Sequence, residues 1–102
     1  MGRLIDMTQV DNLPPSLAVR AGDILMFNGT GGHVRSGKAI VEILGTFISG
    51  LLASNGRVLS PAGAPNTLLF RATGLGHATI DIVTGDPWHH PRTSVIDITV
   101  EK

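Results

Sequence analysis

The chain has 102 residues, room for one domain, 1–102, with one modest core. Eight lysines and arginines balance eight aspartates and glutamates, so the sequence carries no electrostatic footprint for nucleic acid or an acidic membrane. Cysteine is absent, which excludes disulfides, thiolate metal sites and a cysteine nucleophile together.

In chain order, MGRLIDMTQV has one arginine but no sustained apolar stretch ending in small residues. It does not read as a signal peptide, and the compartment is left open between cytosolic and already mature. Period-two alternation then marks LIDMTQV (4–10), SLAVR (16–20) and DILMF (23–27) as strands. The glycine-rich stretch 28–37 reads as a loop. KAIVEIL (38–44) reads as a strand inside the longer apolar region 39–54. That region is a poor membrane span, because Glu42, internal glycines and hydroxyl residues interrupt it and a span needs about 20 mainly apolar residues. Ile40, Ile43, Leu44 and Phe47 also fit a period of 3.6, so a short helix is the alternative there. The β-branched content and the glycines favour strand.

Asn55-Gly56 signals a tight type I′ hairpin turn. It precedes GRVLS (56–60), the loop SPAGAPN (60–66) and NTLLFRAT (66–73); a hairpin of GRVLS with NTLLFRAT is the condition on which the 60–66 loop would join 28–37 and 85–92 at one end. HATIDIVT (77–84) and TSVIDITV (93–100) alternate most cleanly, and Asp81 and Asp97 are expected to point into solvent. Seven or eight short strands in about 100 residues predict an all-β chain, a single immunoglobulin-like β-sandwich. In such a sandwich the connections cluster at two ends, so the loops 28–37, 60–66 and 85–92 are expected to share one end.

Catalytic and ligand-binding chemistry finds little support. No serine sits in a G-x-S-x-G elbow. Gly32, Gly37 and Lys38 mimic part of a phosphate loop, but Ala39 stands where a Ser or Thr would reach magnesium. His89 and His90 are adjacent, so in an extended segment their rings point to opposite faces. A zinc site would need His33 or His77 to converge with a carboxylate such as Asp86. The expectation is a non-enzyme with no metal, no cofactor and no membrane insertion. The sequence leaves the oligomeric state open.

Three segments carry a resemblance. NGTGG (28–32) is similar to an NPTTG motif, GAPNTLLF (63–70) to a glycine-rich loop followed by phenylalanine, and DPW (86–88) to an RPW motif. In this order and spacing they resemble the chagasin family, small immunoglobulin-like inhibitors of papain-type cysteine proteases. Asn28, Thr30 and Gly32 match the first motif, whereas Gly29 and Gly31 replace proline and threonine. Pro65 stands where a further glycine belongs, and Asp86 replaces the arginine ahead of Pro87 and Trp88.

The resemblance implies a wedge of three loops entering the cleft of a papain-like cysteine protease. Asn28, Gly29, Thr30, Gly31 and Gly32 would approach the reactive thiol, and Thr30 would sit near it. Gly63 and Ala64 on one side, and Asp86, Pro87 and Trp88 on the other, would grip the cleft walls. Trp88 would supply the anchor, since tryptophan is enriched among interface hot spots. Alternatively Trp88 folds back as a lid on the core, and the chain is an immunoglobulin-like adhesion or structural module with no protease target.

Overall fold

The computed structural model of the chain describes residues 2–59, 63–85 and 89–102. The described residues form strands and turns, with no helix among them. The first five strands are β1 (Leu4–Asp6), β2 (Ser16–Arg20), β3 (Ile24–Asn28), β4 (Gly31–Ser36) and β5 (Val41–Phe47). After them come β6 (Leu51–Leu52), β7 (Val58–Leu59), β8 (Thr67–Ala72), β9 (Gly76–Thr84) and β10 (Arg92–Glu101). Eight of these build two four-stranded sheets, β1-β3-β8-β5 and β2-β10-β9-β4, and β6 and β7 form a separate hairpin.

This is an immunoglobulin-like order, as expected. β3, β8 and β5 stand in the B, E and D positions of one sheet, and β4, β9 and β10 in the C, F and G positions of the other. β2 runs parallel to β10 at the second sheet's edge, and β1 runs parallel to β3 in the first. The strands pair so that alternate residues face inward together. Leu25 opposes Phe70 and Phe27 opposes Leu68 in one sheet, while Ile80 opposes Ile96 and Ala78 opposes Ile98 in the other. All eight are buried. Phe27 and Phe70 meet edge to face at the centre, with ring centroids 6.0 Å apart. Phe70 is thus core, as the sequence predicts.

Four expectations need correction. The stretch 28–37 is not a loop, because β4 occupies residues 31–36. Its period-two signal is weak: of its six residues only Val34 is apolar, and an extra residue at Arg35 bulges the pairing with β9. The first strand ends at Asp6 rather than Val10, because the Asp6 carboxylate accepts a hydrogen bond from the Thr8 amide (2.8 Å) and turns the chain. GRVLS pairs not with NTLLFRAT but with β6, while β8 pairs with β3 and β5. The Asn55-Gly56 turn is not type I′, since Asn55 lacks a positive φ and only Gly56 has one, at 85°. Gly56 N donates to Ala53 O (3.0 Å) and Ala53 N to Arg57 O (2.8 Å), the geometry of a type I turn closed by a glycine bulge.

Candidate functional site

Three connections meet at one end of the sandwich. Gly29 and Thr30 alone carry the chain from β3 in one sheet to β4 in the other. Gly29 N donates to Asn66 O (2.9 Å), which ties this crossing to the connection before β8. Thr30 N donates to Val83 O (2.8 Å), which ties it to the end of β9. Asn28, Gly29, Thr30, Asn66, Thr84 and Gly85 line a shallow hollow of about 230 Å³ between them. The added strand β4 explains the convergence, because with it β3 and β9 both run toward this end.

Of the residues singled out in the sequence, Asn28 ends β3, Gly29 and Thr30 form the crossing, and Gly31 and Gly32 open β4. Gly63 and Ala64 lie exposed in the connection that reaches the hollow at Asn66. Asp86, Pro87 and Trp88 lie outside the described residues, on the connection that begins at Gly85.

The glycines of the first segment have separate reasons. A Cβ on Gly32 would lie 2.6 Å from Asp81 O and 2.8 Å from Leu68 Cδ2, so the molecule's own interior demands glycine there. A Cβ on Gly31 would meet nothing within 4 Å, so its backbone is open to an approaching surface. The Thr30 hydroxyl lies 3.4 Å from Val83 O and is turned toward the sandwich in the free chain.

The segment 7–15, between β1 and β2, is a component that sequence reasoning missed. Asn28 Nδ2 donates to Thr8 O (2.8 Å) and draws this segment against the crossing. A second hollow, of about 590 Å³, opens between it and Asn28, Thr84 and Ser94. The hydroxyl of Thr8, then its amide, hold the Asp6 carboxyl below the usual carboxylate range. The signal available in the sequence was the Asp-x-Thr spacing of an Asx turn, hidden inside an apparently alternating stretch.

The two strand aspartates resolve differently from each other, and only Asp81 departs from expectation. Asp97 is exposed and accepts from the Thr79 hydroxyl (3.1 Å). Asp81 is not solvated: it is 1% exposed, covered by two β4 side chains. His33 Nε2 lies 2.6 Å from Asp81 Oδ2, and Arg35 Nε donates to the same oxygen (3.2 Å). Arg35 Nη2 sits 2.9 Å from Oδ1, near enough for charge attraction but out of line for a hydrogen bond. His77 Nδ1 is 3.1 Å from the Thr99 hydroxyl. Among the described residues no three His, Asp or Glu side chains converge as metal ligands.

The fold and this end together define an immunoglobulin-like sandwich that gathers three inter-strand connections at one end. Among solved structures the chain shares its fold with the cysteine protease inhibitor EhICP2 from Entamoeba histolytica, at 14% identity and a TM-score of 0.57. The match covers 98% of this chain and 97% of that one. It also shares the fold of amebosin, at 15% identity and a TM-score of 0.52, covering 97% and 98%. No family model matches the sequence, and no curated protein matches it. The all-β sandwich expected from the sequence is therefore a fold that the chain shares with both of these structures.

Proposed function

We propose that the protein is a non-enzymatic inhibitor of papain-type cysteine proteases and enters the cleft with the end formed by residues 28–32, 63–66 and 85–92. The observation that carries this reading is that the Gly29–Thr30 crossing is hydrogen-bonded both to Asn66, in the connection before β8, and to Val83, near the end of the strand that leads into the third connection. The fold shared with a cysteine protease inhibitor supports it. The crossing at Gly29 and Thr30 is held before any partner arrives, so little entropy is lost when it is fixed in a cleft. Its amides already serve the sandwich, which opposes the extended pairing a protease needs to cleave it. The Thr30 hydroxyl would leave Val83 O to face the reactive thiol. Trp88 would be the anchor on the third connection.

Titration of papain and several related proteases with a fluorogenic peptide tests the reading. Reversible, substrate-competitive inhibition is the expected result, and Trp88→Ala is expected to weaken it about 30-fold, since an anchor of this kind is worth about 2 kcal/mol. No inhibition at micromolar concentration across the panel would overturn it.

A further inference from the structure

The chain has four asparagines, and two of them precede glycine, in Asn28-Gly29 and Asn55-Gly56. Glycine is the neighbour that least obstructs attack by its own backbone nitrogen on the asparagine side chain, since it has no Cβ and the freest backbone. In that reaction the glycine amide gives its proton to solvent base and its nitrogen bonds to the asparagine Cγ. The Cγ–Nδ2 bond breaks and ammonia leaves, closing a five-membered succinimide. Water then opens the ring at either carbonyl, placing a hydroxyl on that carbon and a proton on the ring nitrogen. The product is aspartate or isoaspartate, and in isoaspartate the main chain runs through the side-chain carbonyl and is one carbon longer.

Solvent access to the side chain does not separate the two pairs, since both asparagines are exposed; their surroundings do. At the first pair Gly29 is buried and its N donates to Asn66 O (2.9 Å), while Asn28 Nδ2 donates to Thr8 O (2.8 Å). Nucleophile and leaving group are thus held by different neighbours, and Asn28 is itself paired with Thr67 between β3 and β8. Bringing Gly29 N onto Asn28 Cγ would break these contacts together. At the second pair Gly56 is exposed, with nothing within 4 Å of where a Cβ would be. Its N donates to Ala53 O (3.0 Å), but β6 and β7 are two residues each and form a sheet of their own, so that bond opens without disturbing the core. Arg57 N donates to Asn55 Oδ1 (3.1 Å), the oxygen on which negative charge develops during the attack. Arg57 also brings a positive charge next to the amide that must lose its proton.

We propose that Asn55 is a site of spontaneous deamidation through a succinimide, and that the fold protects the chemically identical Asn28-Gly29 pair from the same reaction. An extra main-chain carbon at position 55 keeps the Gly56 N to Ala53 O and Arg57 N to Asn55 Oδ1 bonds from re-forming together, so the Leu52 and Val58 pairing opens. The crossing at Gly29 and Thr30 keeps its covalent structure. Neither step requires a binding partner.

The test incubates the native protein at mildly alkaline pH beside the same protein unfolded in urea. Tryptic peptides from both are followed over time by tandem mass spectrometry that separates asparagine, aspartate and isoaspartate. In the native protein Asn55 is expected to convert at least about 10-fold faster than Asn28, because only its turn opens readily. In urea the two are expected to convert within about threefold of each other, both then being flexible Asn-Gly pairs. Native conversion at Asn28 as fast as at Asn55 would overturn the proposal. So would a native Asn55 that stays intact, whether or not the unfolded chain converts, and a urea sample in which Asn28 remains as slow as in the native protein would show that its protection is not a property of the fold.

Discussion

At the residue scale, neighbouring glycines answer to different physics, and this makes them separable probes. Gly32→Ala drives a methyl into Asp81 O and Leu68 Cδ2, so it is expected to destabilise the fold by about 1–3 kcal/mol, as overpacking does. Gly31 has open space where its Cβ would be and no positive φ, so Gly31→Glu is expected to leave stability within about 0.5 kcal/mol of wild type. If residues 28–32 enter a protease cleft, Gly31→Glu should instead weaken inhibition at least 10-fold. Urea unfolding and inhibition titration on both variants check the crossed pattern. A stable Gly31→Glu variant that inhibits like wild type would remove this segment from the contact.

At the element scale, legibility follows the number of inward-facing apolar residues. β9 and β10 are nine and ten residues long and bury Ala78, Ile80, Ile82, Ile96, Ile98 and Val100 in alternation, so period two is plain in their sequences. β4 sends only Val34 to the core and breaks step at Arg35, so nothing local announces it. Asp81 looked solvated because its covering groups, His33 and Arg35, lie more than 40 residues away in sequence. Convergence of the three connections was legible in kind from the sandwich pattern, whereas its closeness depends on a crossing of only two residues. The β6–β7 hairpin was half legible: its turn residues were seen, its partner strand was not. Its few ladder bonds and open side chains predict local opening far below the global unfolding free energy. In native-state hydrogen exchange, amides of residues 51–59 are expected to exchange at least 100-fold faster than those at the centres of β8, β9 and β10. Equal protection would mean that the hairpin is packed as tightly as the core.

At the scale of the whole molecule, binding and acid stability are assigned to opposite ends. Asp23 lies at the far end of β3 from Asn28, buried in the turn that follows β2. Arg3 donates to it from Nε (3.1 Å) and Nη2 (2.6 Å), and the Arg20 amide adds a bond of 2.8 Å. The Arg3 hydrogen bonds, against the opposing effect of burial, hold the Asp23 carboxyl well below the usual carboxylate range. Near pH 4 the unfolded chain therefore binds the proton that the folded chain refuses. The stability this carboxylate contributes is complete above the unfolded value of about 4 and is lost as pH falls toward the folded one. Asp23→Asn is expected to be less stable at pH 7, yet to lose less of its remaining stability between pH 5 and pH 2.5, as read from urea midpoints. Because β3 spans roughly 17 Å between the two ends, effects there should add without coupling. Asp23→Asn should keep wild-type inhibition at neutral pH wherever it is folded, and combining it with Gly31→Glu should give the sum of the separate effects on stability and on binding. Loss of inhibition in folded Asp23→Asn would show instead that the turn at one end sets the geometry of the connections at the other.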